Sequence, residues 1–162
     1  MLAGSHNSVH DNTGWQQVMH AWLPRMRATR RPILGICGAR VGFVPDGPYT
    51  GTYPLDLREA ARGSPLFQGL PEDASFQYAN SEHVLEVPKG AVLLATSGPI
   101  TVAALDYGHH CYTTQFHPEG THETLSCVWR LKAPNLIAHY RPEDSGNRLV
   151  RNFLRLVAES QS

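Results

Sequence analysis

The chain has 162 residues, of which 41% are apolar and 17% charged, so it is long and apolar enough to fold as one domain. Lys plus Arg and Asp plus Glu both number 14, and this balance argues against general electrostatic binding to nucleic acid or to membranes. No apolar run approaches the ~20 residues of a membrane-spanning helix. Three cysteines, Cys37, Cys111 and Cys127, are typical of free thiols in a reducing compartment. We therefore expect a cytoplasmic protein without nucleic-acid or membrane partners.

The first predicted elements are a helix and a buried strand. Between Thr13 and Thr29 the apolar residues fall on one helical face, although Pro24 should bend or shorten this helix. The apolar run 31–37 follows and is closed by Gly38. Such a run suits a strand that is buried on both faces of a parallel sheet.

Most of the remaining chain is predicted to form strands. Residues 42–54 contain three glycines and three prolines and are expected to be loop. The strand candidates are 53–57, 75–78, 84–87, 92–97, 101–106 and 111–116. Ser145 is expected to cap a final amphipathic helix. A helix, a buried strand, a run of strands and a closing helix together predict a three-layer α/β protein.

Two short motifs carry residues that are suited to nucleophilic catalysis. Cys37 follows the buried strand and has small residues, Gly35 and Gly38, on either side, as a nucleophile elbow requires, because bulky flanking side chains would collide with the backbone of the tight turn. The thiolate is the reactive form, so an imidazole such as that of His117 must take the proton. Glu119 lies two residues further on and would face the same side, where it can hold the ring in one tautomer.

At these motifs the sequence resembles the class I glutamine amidotransferases, whose signatures read Gly-Ile-Cys-x-Gly-His-Gln and Gln-Phe-His-Pro-Glu. The second signature is intact at residues 115–119. The segments 51–54 and 65–71 are similar to those of stand-alone, GMP-synthase-like members, and the resemblance covers residues 3–155. It implies a flavodoxin-like α/β fold with a mostly parallel sheet, in a single, partial amidotransferase-like domain over residues 1–162.

The resemblance also implies a glutaminase reaction, in which the cysteine attacks the side-chain amide of glutamine and forms a thioester. The histidine would protonate the departing ammonia, the glutamate would orient the histidine, and backbone amides would bind the oxyanion. The implied catalytic residues are Cys37, His117 and Glu119, and the implied oxyanion- and substrate-binding residues are Gly4, Ser5 and Gly38. The ammonia would pass to a synthase partner, and the reaction needs neither a metal nor another cofactor.

The chain departs from the family pattern in two places. The strand, helix and second strand that precede the Gly4 region in the family are absent from this sequence, so we expect an incomplete sheet whose apolar edge could support self-association. After Cys37 the family continues into a helix, whereas residues 38–47 are rich in glycine and proline.

Two alignments of residues 38–47 remain open. Without a gap, Ala39 replaces the elbow glycine and Val41 replaces a glutamine that contacts substrate; with a gap, the whole helix is deleted. The match of residues 40–47 to a later loop favours the deletion. We therefore expect an irregular segment 39–50, an exposed Cys37 and weak or undetectable glutaminase turnover.

Other functions are compatible with parts of this pattern. The altered elbow also suits a non-catalytic relative that binds a partner or small molecule. A γ-glutamyl-hydrolase-like cysteine hydrolase would share the cysteine and histidine, although Glu119 favours the amidotransferases. The remaining cysteines and histidines lack the spacing of metal ligands, so no metal site is expected. His83 lies where the family often has a polar substrate-side loop, but as a lone histidine it is expected to be a surface residue or an internally hydrogen-bonded one.

Overall fold

The computed structural model describes residues 1–2, 8–36, 41–43, 47–142 and 144–161. The helices are α1 Gly14–Ala28, α2 Glu59–Arg62, α3 His122–Lys132 and α4 Gly146–Glu159. The strands are β1 Ile33–Ile36, β2 Val41–Phe43, β3 Tyr49–Pro54, β4 Asp56–Leu57, β5 Ser75–Asn80, β6 Glu82–Val84, β7 Val92–Ser97, β8 Ile100–Asp106 and β9 Cys111–Thr114. Short 3-10 helices lie at Val9–Asp11, Pro65–Phe67 and Pro134–His139. Among these described helices, none has both the length and the apolar character needed to cross a bilayer.

The central sheet has five strands in the order β1-β9-β8-β7-β4. β1 and β9 are parallel, with Ile36 opposite Thr114. Leu2 extends the parallel part beyond β1, where its N–H donates to the Leu34 carbonyl at 2.8 Å. The pairs β9·β8, β8·β7 and β7·β4 are antiparallel. The predicted α/β class is confirmed. Within the described sheet the parallel pairs all involve β1, the strand that Cys37, the predicted nucleophile, follows in the sequence.

The hydrophobic core joins the central sheet to β5 and α4. Phe76, Tyr78 and Phe116 are fully buried, and the ring centroids of Phe76 and Phe116 lie 4.2 Å apart. The predicted apolar face of α4 packs into the same cluster. Because Phe116 directly precedes His117, this packing fixes the backbone at the start of the predicted His-Pro-Glu site.

The described residues of the segment 42–54 lie mostly in strands, so for them the expectation of a loop was wrong. β2 pairs antiparallel with β6, and β3 pairs antiparallel with β5 over six residue pairs. Gly51 lies inside β3 at φ +129°, and a Cβ there would be 2.6 Å from the Cβ of His139. This glycine permits a close approach between a strand and a neighbouring segment, a role that composition does not distinguish from a turn.

The segment 39–50 is irregular only in part, because its described residues belong largely to β2 and the start of β3. Residues 39–40 and 44–46 lie outside the described residues, as does Cys37, whose exposure stays a prediction. Val41–Phe43 is a strand and not part of a helix that continues from the elbow. The deletion alignment therefore stays a prediction that this strand supports.

Two helix ends also differ from expectation. α3, which was not predicted, begins after Thr121, whose side chain accepts a hydrogen bond from the Thr124 N–H. Ser145 occupies the N-cap position of α4, but its side chain makes no capping hydrogen bond. The Asp144 carboxylate accepts from the Gly146 N–H at 2.8 Å instead, so a carboxylate at the preceding position caps this helix.

Candidate functional site

The imidazole of His117 and the carboxylate of Glu119 are in direct contact, with Nδ1 2.8 Å from Oε1. Both side chains are partly buried. A carboxylate at Nδ1 favours the tautomer that carries its proton on that nitrogen, and in this tautomer Nε2 is the unprotonated nitrogen that can accept a proton from a nucleophile. The structure thus brings together two of the three residues that the sequence singles out as catalytic, in the geometry that a general base needs.

The backbone around this pair is held from two sides. The His117 N–H donates to the Gln77 carbonyl at 2.8 Å, and the His117 carbonyl accepts from the Gly120 N–H at 3.2 Å. On the other side, a Cβ on Gly146 would lie 2.5 Å from the Pro118 carbonyl oxygen. The turn that carries His117 and Glu119 is therefore fixed between β5 and the first turn of α4.

The carboxyl ends of β1 and β9 meet at the same edge of the sheet, because the two strands are parallel neighbours. His117 follows the end of β9 at this edge. The other predicted site residues, Cys37, Gly38, Gly4 and Ser5, lie outside the described residues. On either side of the predicted oxyanion loop, Leu2 pairs with β1, and the Ser8 hydroxyl donates to Glu82 Oε1 at 2.6 Å.

Comparison with known proteins gives relatives along nearly the whole chain, although no protein-family model matches it. GMP synthase (glutamine-hydrolyzing) of Staphylococcus saprophyticus is 28% identical over 170 residues, which cover 98% of this chain and 27% of that protein. The enzyme of the same name from Staphylococcus carnosus is 30% identical over 170 residues, with the same coverage. The chain spans about a quarter of the length of these curated relatives.

Solved structures agree with these relatives on the fold. A glutamine amidotransferase from Thermotoga maritima superposes with a TM-score of 0.75 at 19% identity, covering 95% of this chain and 75% of that one. A glutamine amidotransferase from Methylobacillus flagellatus superposes with a TM-score of 0.65 at 17% identity. The superposition covers 98% of this chain and 70% of that one. These relatives and neighbours support a place for the chain among the GMP-synthase-like class I glutamine amidotransferases. The amidotransferase fold class predicted from the two signatures is confirmed.

Two buried glutamines of this amidotransferase-like protein have structural roles that the sequence did not reveal. Gln115, the first residue of the intact signature, accepts from the Val84 N–H at 2.9 Å and so anchors β6 beside β9. Gln77 accepts from the Thr52 hydroxyl and donates to both the Arg141 carbonyl and Asp144 Oδ2, each at 2.9 Å. The sequence offered one signal of this role, namely that Gln77 is a polar residue between apolar residues of β5. Gln77 thereby ties β3 and the start of α4 to the strand that supports His117.

His83 is buried in a strand, so the expectation of a surface position was wrong. It belongs to β6 and is only 6% exposed, and its buried Nδ1 has no hydrogen-bond partner among the described residues. Pairing with β2 covers a segment whose polar sequence resembles a loop. Burial lowers the pKa of His83 below its ordinary value of 6.5, because the charged ring would lose its hydration. The fold therefore favours the neutral form of this ring.

This burial makes stability depend on pH. Below the ordinary histidine pKa the unfolded chain binds a proton that folded His83 resists, so the free energy of unfolding falls as pH decreases. We expect His83→Phe to lose less stability than the parent protein between about pH 7.5 and about pH 5.5. Urea unfolding at both pH values measures this, with the exposed His20→Phe as control. An identical loss in the parent and in His83→Phe would contradict the assignment.

The other cysteines do not form a second reactive site in the described structure. Cys111 is half-buried and Cys127 is exposed, and both are free thiols. Burial raises the pKa of the Cys111 thiol, which lowers the fraction present as thiolate. Within the described ranges no group of three or more His, Cys, Asp or Glu side chains could hold a metal ion.

Proposed function

We propose that this protein carries a glutaminase site in which Cys37 attacks the side-chain amide of glutamine, with His117 as general base and acid and Glu119 as the orienting carboxylate. The observation that carries the proposal is the 2.8 Å contact between His117 Nδ1 and Glu119 Oε1, at the sheet edge where the carboxyl ends of β1 and β9 meet. Cys37 directly follows β1 in the sequence.

The pairing of β1 with β9 supports the proposed meeting of sulfur and imidazole. Ile36 is the partner of Thr114, and neighbouring strands lie about 4.8 Å apart. Cys37 comes one residue after Ile36, and His117 comes three residues after Thr114. Residues that leave two adjacent parallel strands so soon after the last paired position are within reach of each other, so we expect a sulfur-to-imidazole distance of about 4 Å.

The proposed reaction has two halves. His117 first accepts the thiol proton, and the thiolate bonds to the amide carbon of glutamine. Amides of Gly38 and of the Gly4–Ser5 loop would donate to the oxyanion. The imidazolium then returns its proton to the nitrogen, the C–N bond breaks, and ammonia leaves a thioester. In the second half His117 takes a proton from water, which attacks the thioester, and glutamate leaves as the thiol is restored. Glu119 stays ionised and stabilises the imidazolium.

The destination of the ammonia is proposed from the relatives. They are glutamine-hydrolyzing GMP synthases, and the chain matches only 27% of their length. We assign glutamine as the substrate and a synthase, on a partner or a further domain, as the ammonia acceptor. The cytoplasm, where glutamine is available, is the proposed location, and the sheet edge beyond Leu2 is a proposed place for self-association.

Ammonia release from millimolar glutamine tests this function. We expect slow release, because the residues after Cys37 differ from the family signature and β2 stands where a helix would continue. Release should disappear in Cys37→Ala and persist in Cys127→Ala, which removes an exposed thiol elsewhere. Rapid ammonia release that Cys37→Ala abolishes would contradict the expectation that the altered elbow slows the reaction, but it would agree with the proposed site. A rate unaffected by Cys37→Ala would contradict the proposed function.

A further inference from the structure

Every polar group of Ser8, which lies just after the predicted oxyanion loop, makes a hydrogen bond. Its N–H donates to Asp11 Oδ2 at 2.9 Å, and its hydroxyl oxygen accepts from the His10 N–H at 3.2 Å. Its carbonyl accepts from Gln16 Nε2 at 2.8 Å, and its hydroxyl donates to Glu82 Oε1 at 2.6 Å. The first three partners are local, whereas Glu82 is 74 residues away. Glu82 is therefore the contact that ties this position to a distant strand.

Glu82 begins β6, a strand that also contacts two other parts of the proposed site. Glu82 is the partner of Phe43 in β2, the described strand that follows the elbow along the chain. At the other end of β6, the Val84 N–H donates to Gln115 Oε1 at 2.9 Å, and Gln115 stands two residues before His117. β6 thus links the segment after the elbow, the His-Pro-Glu signature and, through Glu82, the chain that leaves the oxyanion loop.

The local turn at Ser8 does not need Glu82. The capping box formed by Ser8 and Asp11 is complete without it. The hydroxyl-to-carboxylate distance is nevertheless within the about 2.5–2.7 Å of a charge-assisted hydrogen bond, and both side chains are half-buried. On the other side of the loop the Leu2 carbonyl accepts from the Ile36 N–H at 2.9 Å. The chain is therefore fixed to β1 before the loop and to β6 after it.

We propose that Glu82 is a positioning residue for the glutaminase reaction, and this inference rests on the proposed function. Its carboxylate holds the Ser8 hydroxyl and so sets where the chain leaves the Gly4–Ser5 loop, whose amides are the proposed oxyanion donors. Glu82 itself touches no reacting atom. Its removal should slow the steps that form an oxyanion and spare reactions of the Cys37 thiolate that form none.

Two probes of Cys37 separate these effects. With the nitrophenyl γ-ester of glutamate, the thiolate bonds to the ester carbonyl carbon through a tetrahedral oxyanion, and the C–O bond then breaks to release nitrophenolate. With iodoacetamide, the thiolate displaces iodide directly and no such oxyanion forms. We expect Glu82→Ala to slow nitrophenolate release by about 10–10²-fold and to leave alkylation at Cys37 unchanged. A general structural defect would slow both reactions, because both need the thiolate that His117 generates.

Three further variants control the experiment. Glu82→Gln keeps an oxygen acceptor for the Ser8 hydroxyl and should retain most of the rate with the ester. Glu72→Ala removes an exposed carboxylate elsewhere and should match the parent protein. Ser8→Ala should slow the ester reaction about as much as Glu82→Ala, and combining the two should add little, because both changes remove the same hydrogen bond.

The outcomes distinguish this inference from the proposed function. Nitrophenolate release in Glu82→Ala that equals the parent rate would overturn the positioning role. Equal slowing of the ester reaction and of alkylation, or losses that add fully in the double variant, would also overturn it. Release that persists unchanged in Cys37→Ala would contradict the proposed function itself, and the role of Glu82 with it.

Discussion

Replacing His117 by alanine is expected to slow the alkylation of Cys37 by an electrophilic glutamine analogue by roughly 10²–10⁴-fold, the usual contribution of a positioned general base. The ring stands at the carboxyl end of β9, and its Nδ1 contacts Glu119 Oε1 at 2.8 Å. Glu119→Gln should give a smaller loss, because an amide can still hold the ring but does not stabilise its charged form. Peptide mass spectrometry after timed reaction measures the rate at Cys37.

A second histidine–carboxylate pair provides the control for this experiment. His122 Nδ1 lies 3.1 Å from Glu123 Oε2 at the start of α3, and neither residue is one of the proposed catalytic groups. His122→Ala removes a similar pair and should leave the alkylation rate at Cys37 unchanged. Equal rates for the parent protein and His117→Ala would show that this histidine does not activate the thiol.

Gly146→Ala is expected to destabilise the protein by about 1–3 kcal/mol, as overpacking of a tight contact does. The added Cβ would lie 2.5 Å from the Pro118 carbonyl oxygen and 3.0 Å from Asp144 Oδ1, so backbone must move. Because Pro118 links His117 to Glu119, the movement should also misalign the pair. A displacement of about 1 Å at a catalytic group can cost about 10²-fold in rate, and we expect a loss of this size in Cys37 alkylation.

Gly63→Ala is the matched control for Gly146→Ala. Gly63 ends α2 with φ −91°, and no atom lies within 4 Å of an added Cβ. The free energy of unfolding of Gly63→Ala should stay within about 0.5 kcal/mol of the parent value, and its rate of alkylation at Cys37 should be unchanged. Urea unfolding measures both variants. A Gly146→Ala protein as stable and as reactive as the parent would show that the contact with Pro118 does not hold the site.

The parts of the fold that the sequence predicted are those with a clear hydrophobic period. α1 and β7 lie almost where the pattern placed them, and α4 buries the expected apolar face. The contact between His117 and Glu119 also agrees with its prediction, because two residues so close in sequence, with a proline between them, have few ways to be arranged. Local spacing was sufficient for each of these features.

The parts that the sequence did not predict depend on contacts between distant segments. β2 and β3 contain glycines that are typical of loops, yet pairing with β6 and β5 makes them strands. His83 is buried for the same reason. Gln77 holds Thr52 and Asp144, which are 25 and 67 residues away, and no local pattern records such partners. The amidotransferase signature identified the candidate site, but neither the structural role of Gln115 within it nor that of Gln77 outside it.

The most direct test of the glutaminase site is to incubate the protein with glutamine, quench it with acid and search the Cys37 peptide for a glutamyl thioester. The account predicts a thioester on Cys37 that accumulates in the parent protein and is absent when His117 is alanine, while Cys111 and Cys127 stay unmodified. A Cys37 peptide that carries no glutamyl group at any time, or a glutamyl group on Cys127 instead, would contradict it.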